Sequence, residues 1–459
     1  MRFGDSVFPM SHKTSHKRRW LVALSVLLVV FVLLVAIASA LAPILFPADV
    51  QMDGEGRRVA AAVIFVGSYL ALAIGRIPGL AIDRTGIAVV GAGLMVASGA
   101  LTPEEAYQAV DLNTITLLLG MMIVVANLRL SGFFAIATAW VGTQARRPVI
   151  LLGAVVATSG IFSAFLVNDA VCLVLAPLVM ELALALGRRP KPYLLAVAMA
   201  SNVGSTATIT GNPQNIMIGS FSHIPYSEFA LTLGPIAAIG LMVTVGLIAF
   251  FHRTEFAGHA TFEAPRQKVD ANRVLVLRAL LATIILIASF FAGVVPAKAA
   301  IIIGGLLLLT RRVKSWRVYA EIDWPLLLMF AGLFIIVAGA EHALITPRVI
   351  AAVGRLHLDH VPVLSALTAL LSNLVSNVPA VLMMKPFVEV LKDHDRAWLV
   401  IAMASTLAGN FTVLGSIANL IVVQRAAVSG VTIGFWDYFR VGAPLTVITL
   451  VIGTVWLCL

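Results

Sequence analysis

Two stretches of this sequence decide its fold: ASNVGSTATITGNPQNIMI at 200–218 and ASTLAGNFTVLGSIANLIV at 404–422. Each lies in an apolar run that glycine, asparagine and hydroxyl side chains interrupt at matching places, Gly211 aligning with Gly415 and Asn215 with Asn419. Working outward, SAFLVNDAVCLVLAPLV (163–179) aligns without gaps with SNLVSNVPAVLMMKPFV (372–388), pairing Ser163 with Ser372, Asn168 with Asn377 and Pro177 with Pro386. A third block, Asp111 to Gly120, resembles Asp323 to Gly332. The offsets are 204, 209 and 212, so three separate blocks agree on one internal duplication.

The whole chain has 459 residues, 60% hydrophobic and 12% charged, with a mean hydropathy of +1.00. A soluble protein carries roughly 25% charged residues. The shortfall excludes an ordinary soluble enzyme, a disordered chain and a nucleic-acid-binding domain. The two cysteines, Cys172 and Cys458, provide neither a disulfide framework nor metal-ligand spacing. The chain reads as an all-α polytopic membrane protein.

A first apolar run, Leu21 to Phe46, follows a basic stretch ending at Arg19. It is long enough for about 30 Å of hydrocarbon and reads as a retained first helix. Cleavage after Ala38 to Ala40 is the lesser reading. Further spans are predicted near 59–75, 86–101, 113–130, 193–221, 228–251, 273–294, 297–310, 323–340, 396–428 and 439–457, giving about 11 transmembrane helices. The stretches 148–187 and 360–391 are broken by polar residues, too long for one helix and too short for two spans with a loop. They read as re-entrant helical hairpins. With the N-terminus inside, 24 of the 32 Lys and Arg fall on the cytoplasmic side of the cell membrane, an excess that the positive-inside rule expects. The chain then divides into a tail and first helix (1–58), a first half with repeat 1 (59–251), a cytoplasmic connector (252–272) and a second half with repeat 2 (273–459). The two copies run in opposite directions, as an inverted repeat.

Irregular backbone at membrane depth must line a cavity or be buried in protein, because lipid satisfies no free N–H or C=O. Inverted repeats with broken helices are characteristic of secondary transporters, whose sites lie where the breaks meet. Repeat 1 offers Asn168 and Asp169 at its hairpin tip, placed to cap the returning arm. It also offers Thr208, Gly211, Asn212 and Asn215 at its broken helix, with Asn212 as N-cap and Pro213 in the first turn. Repeat 2 offers Ser376 and Asn377 at the tip and Thr412, Gly415, Ser416 and Asn419 at the break, Ser416 in a capping place. Each break exposes a half-helix N-terminus that favours an anion, and the Asn and Ser oxygens near Asn168 and Asn377 suit a sodium ion. Asn168, Asn215, Asn377 and Asn419 are expected to line one cavity and to be needed for transport rather than for folding. Asp169 is the carboxylate at a predicted break, a proton carrier or cation ligand against the plainer reading of a solvated cap. Lys385 reads equally as an anion contact and as a snorkelling side chain. Glu181 and Glu389 are expected in water. The His residues lie in predicted loops and span ends, so neither a metal site nor another resident cofactor is expected.

At these residues the chain resembles the ion-transporter superfamily of arsenite permeases, citrate-transporter-like permeases, divalent-anion/sodium symporters and sodium/proton antiporters of the same fold. The resemblance runs roughly from Val59 to Trp456. Asn168-Asp169 with Pro177, and Asn377-x-Pro379, are similar to the arsenite permeases. Thr208-x-x-Gly211-x-Pro213-x-Asn215 is similar to the symporter and antiporter branches. The symporters carry Ser-Asn-Thr at both tips; here the tips are Val167-Asn168-Asp169 and Ser376-Asn377-Val378. The resemblance implies a homodimer with a scaffold part, a moving transport part and two hairpins that close over the substrate.

The leading reading is a secondary transporter for a small anion or oxyanion, driven by a proton or sodium gradient. A sodium/proton antiporter of the same fold is the alternative. An intramembrane enzyme finds no paired catalytic groups, and an ATP-driven pump finds no phosphate-binding loop. A passive channel fits paired hairpins and an inverted repeat less well than alternating access does.

Overall fold

The computed structural model describes residues 54–74, 82–144, 147–256, 271–309, 313–344 and 355–459. The expected first helix at Leu21 to Phe46 and residues 257–270 of the connector lie outside them. Among the described residues the chain forms twenty α-helices and two 3₁₀ turns, with no strand. Eight of these helices are long and apolar enough to cross a membrane, by length and composition.

Contacts divide the chain into two compact units. The first takes residues up to Ala109 together with Gly332–Leu344. It contains α1 (Gly54–Ile74), α2 (Arg84–Ala97) and α3 (Pro103–Ala109). Asp83 starts α2 by accepting the Gly86 N–H at 2.8 Å. A reciprocal pair precedes α3: Thr102 N–H donates to Glu105 at 2.8 Å, and Glu105 N–H to the Thr102 hydroxyl at 3.2 Å.

The second unit, Val110–Ala331 and Ile345–Leu459, carries both broken helices and both hairpins. It begins with α4 (Leu112–Ser131) and α5 (Phe133–Gln144). The sequence places a loop at 129–147, and α5 corrects it. Gly132 ends α4 in the left-handed conformation (φ 85°), and the chain restarts as a helix at the next residue.

The first hairpin is α6 (Pro148–Phe165) and α7 (Asn168–Ala185). Its arms have 18 residues each, about 27 Å. The length argument against two spans therefore fails, because the connection uses only Leu166 and Val167. The first broken helix follows as α8 (Pro190–Ser205), a 3₁₀ turn (Ile209–Gly211) and α9 (Pro213–Ser222). After α10 (Tyr226–Phe251), a short α11 (Arg253–Phe256) is tied down where Arg188 donates to the buried Glu255 at 2.8 Å. Then come α12 (Arg273–Phe291), α13 (Pro296–Leu308), α14 (Ser315–Tyr319) and α15 (Trp324–Leu344), which contributes to both units. The second hairpin, α16 (Val361–Val375) and α17 (Asn377–Val388), turns on Ser376 alone. The second broken helix is α18 (His394–Ala408), a 3₁₀ turn (Val413–Gly415) and α19 (Ile417–Val428), and α20 (Phe435–Cys458) closes the unit.

Helices meet closely in lipid when small residues let their backbones approach. Gly204 of α8 lies against Gly160 of α6, where a Cβ would come within 2.2 Å of the Gly160 carbonyl oxygen. Backbone cannot yield there as a flexible side chain would. Gly204→Ala is therefore expected to lower the yield of monodisperse protein in detergent and its melting temperature, while Gly153→Ala, in open space on the same arm, leaves both unchanged.

Candidate functional site

Breaking a helix frees the carbonyls of its last turn, and buried carbonyls need donors. In both broken helices one asparagine supplies them. The Asn215 amide donates to the carbonyls of Ser205 (3.1 Å) and Thr208 (3.0 Å). The Asn419 amide donates to those of Gly409 (2.8 Å) and Thr412 (3.1 Å). All three members of the second clamp lie 204 residues beyond those of the first. The backbone matches too: Thr208 and Thr412 are extended at φ −141° and −136°, Asn212 and Ser416 at φ −156° and −145°. At Gly211 a Cβ would stand 2.1 Å from the Ser205 oxygen, so only glycine lets the chain double back there. Asn212 caps α9 by accepting the Asn215 N–H at 2.9 Å, with Pro213 in the first turn.

The two breaks are also bonded to each other. Asn202, fully buried in α8, donates to Asn410 and Asn419 (both 2.9 Å) and accepts from Asn168 (3.0 Å) and Ser416 (3.1 Å). Its counterpart Thr406, in α18, bonds Asn215 (3.4 Å) and accepts from Asn212 (3.0 Å) and Gln214 (3.2 Å). Asn212 and the Ser205 hydroxyl join the clusters, since Ser205 donates to the Asn202 carbonyl at 2.8 Å. One buried polar network thus links both broken helices and the first hairpin.

Two capping expectations need correction. Val167, not Asn168, holds the N-cap position of α7, and no side chain caps it. The two-residue connection carries Asn168 into the first turn, from which its amide reaches Asn202. Ser416 sits at the N-cap of α19 without capping it, because its hydroxyl is given to Asn202. At the second tip Ser376 adopts φ 80°, ψ 158°. Asn377 pairs with the Ser372 hydroxyl at 2.6 Å, and Ser372 also reaches the Ser405 carbonyl at 3.0 Å. A Cβ on Gly409 would lie 3.4 Å from the Asn377 amide nitrogen, which sets this tip against the second break.

Five buried oxygens have no hydrogen-bond partner among the described residues: those of Ser159, Ser163, Asn168, Thr368 and Asn373. Ser159 and Thr368 occupy equivalent places, 209 residues apart, in the outgoing arms of the two hairpins. Thr208 donates to the Ala164 carbonyl, and Thr210 meets the Tyr226 hydroxyl at 2.8 Å, which ties the first break to α10.

Asp169 stands partly buried in the first turn of α7, facing the Ala418 N–H in the first turn of α19. It lines a cavity of about 100 Å³ together with Asp323, Arg129 and Glu321, the last two ion-paired. A second cavity, about 380 Å³, reaches Ile209 of the break beneath Tyr226 and touches Asn113 and Leu117. The smaller cavity touches Met122 to Arg129, so the two lie at opposite ends of α4. Lys385 lies over the Phe221 ring at 5.5 Å in a polar cavity with His223, His394, Glu389 and Asp395. Glu181 and Glu389 are exposed. Among the described residues no group of three His, Cys, Asp or Glu could hold a metal ion.

Of the predicted residues, Asn168, Asn212, Asn215, Ser416 and Asn419 share the network, Gly211 and Gly415 form its turns, and Thr412 contributes its carbonyl. Asn377 adjoins it at Gly409, and Thr208 joins Ala164. Asn202, Thr406 and Asn410 are equally central, and Asn202 and Thr406 stand outside the residues that the sequence singles out. For Asn202, an asparagine within an apolar run was the available signal.

A family model described as citrate transporter (CitMHS) matches residues 63–406. The silicon efflux transporter LSI3 of Oryza sativa subsp. japonica is 28% identical over 449 residues, covering 82% of this chain and 93% of that one. An uncharacterized transporter of Mycobacterium tuberculosis is 28% identical over 430 residues, covering 87% and 98%. The crystal structure of the Alcanivorax borkumensis YdaH transporter shares the fold, with a TM-score of 0.53 at 14% identity over 87% of this chain and 97% of that one.

Proposed function

We propose how this chain, which belongs to the citrate transporter family (CitMHS), does its work: as a secondary active carrier of a small anion or oxyanion, driven by protons or sodium. Members of this family are transporters, not enzymes. The observation that carries the proposal is the buried network in which two broken helices are clamped by equivalent asparagines and bonded to each other and to a hairpin tip. Such a centre holds the helix starts of α9, α17 and α19, whose dipoles favour an oxyanion. The unpartnered oxygens of Ser159, Ser163 and Asn168 offer a cation the complementary place, and Asp169 offers a proton one. Cavities at opposite ends of α4 supply approaches from two directions, as alternating access requires.

The family description and the name of one relative support the choice of substrate class. A silicic-acid-like or arsenite-like oxyacid fits a relative named for silicon efflux, and a carboxylate fits the family description. The carrier works as a homodimer in the cell membrane with its N-terminus in the cytoplasm. The test is uptake into proteoliposomes of arsenite, silicic acid and citrate, under imposed proton or sodium gradients. Gradient-driven accumulation of one of them is the expected result. Failure of all three, with proton release driven by sodium alone, would replace the reading by the antiporter, for which the Asp169–Asp323 cavity speaks.

A further inference from the structure

The orientation of a carboxamide in a folded protein is decided by its partners. Here the partners leave one solution. A backbone carbonyl only accepts. The Asn419 amide nitrogen faces two of them, Gly409 and Thr412, so the Asn419 oxygen must face Asn202. Independently, the Asn410 nitrogen faces the Met199 carbonyl at 3.2 Å, so its oxygen too must face Asn202. Two acceptors on one side oblige Asn202 to present its nitrogen to them and turn its oxygen toward Asn168 and Ser416. With two donors and two acceptor lone pairs, a carboxamide can make four such bonds, and Asn202 makes all four. Asn168 must then donate its nitrogen to Asn202. Its oxygen is left over, buried and without a partner among the described residues.

We propose that Asn202 is a positioning residue for transport: anchored by the second broken helix, it fixes the Asn168 carboxamide so that an oxygen, not an N–H, faces the ligand at the first hairpin tip. That tip therefore takes a cation or the proton of a ligand hydroxyl, and an oxyanion's bare oxygen is repelled there. This rests on the reading of the network as the transport site. The relay also gives the tip a sense of the other repeat, because its polarity is set by carbonyls that a change in the second break would move.

A double-mutant cycle over Asn168→Ala and Asn202→Ala tests it, with two readouts. In proteoliposomes, with arsenite, silicic acid and citrate as probes, Asn202→Ala should raise the half-saturating concentration about tenfold, the worth of one hydrogen bond to a ligand. In the Asn168→Ala background the same change should have no further effect, because the residue through which Asn202 acts is gone. Effects that multiply would show Asn202 to be structural only and overturn the proposal. The second readout is the melting temperature in detergent without ligand. There the two substitutions should be non-additive, and additivity overturns the relay itself. Should none of the probes be transported, the functional reading falls, while the melting cycle still judges the relay. Where the alanine variant does not fold, Asn202→Thr, the residue found at the equivalent position 406, takes its place in both cycles.

Discussion

Asp169→Asn leaves the substrate bound and abolishes gradient-driven accumulation, so that uptake into proteoliposomes stops at the equilibrium level. The amide keeps the shape of the side chain and can still accept from the Ala418 N–H in the first turn of α19. What it loses is the charge and the ability to take up a proton, in a cavity shared with Asp323 and the Arg129–Glu321 pair. A carboxylate at the junction of a hairpin tip and a broken helix can bind the coupling ion in one state and release it in the other. The initial rate of uptake toward that equilibrium level, at different external pH and sodium concentrations, distinguishes the ions. Loss of the pH dependence marks Asp169 as the proton site; loss of the sodium dependence marks it as a sodium ligand. Unchanged accumulation with unchanged profiles would make it a helix-end charge and nothing more.

Asn419→Ala is expected to unfold the carrier, whereas Asn377→Ala leaves it folded and silent. The alanine at 419 strands the buried Gly409 carbonyl, the half-buried Thr412 carbonyl and one buried N–H of Asn202. At about 1–3 kcal/mol for each unpaired group, the loss is roughly 3–9 kcal/mol, much of the stability of an ordinary domain. Asn377 gives up only its contact with Ser372, which still has the Ser405 carbonyl. Melting curves and uptake measured on the same preparations separate the two. A wild-type melt for Asn419→Ala would show that the clamp carries little of the fold's stability. Wild-type uptake by Asn377→Ala would remove the second tip from the site. The sequence alone treats these asparagines as equals; the hydrogen bonds divide them into clamps and tips.

That division shows what was legible in the chain. Gly211-Asn212-Pro213 announces its break because glycine, an N-cap and proline each act on local backbone, and the structure has them in those roles. The hairpin turns are visible because polar residues interrupt the apolar runs there. Asn202 was not, although it stands in the stretch that decides the fold: its four partners lie at 168, 410, 416 and 419, and nothing near it in sequence points to them. Asn168 and Ser416 were read as caps because capping is the local use for such side chains. In both cases a distant partner outbid it. The helix α5 escapes the sequence reading because the predicted spans stop near 130 and resume at 148, while the apolar run after Gly132 continues for one more helix.

Ser376 has a consequence for how readily the second hairpin turn rearranges. At φ 80°, ψ 158° it rests in a region that glycine alone occupies with ease, at about 1–3 kcal/mol above an ordinary conformation. The second hairpin is in effect a bent spring with a serine as its pivot. Any motion that lets the turn relax recovers that energy, enough to change a ratio of populations by roughly five- to a hundredfold. The first hairpin has no such tension: Leu166 and Val167 lie at φ −125° and −49°. Of two hairpins built on one plan, one turns without strain and is held by an amide, and the other turns on a strained serine.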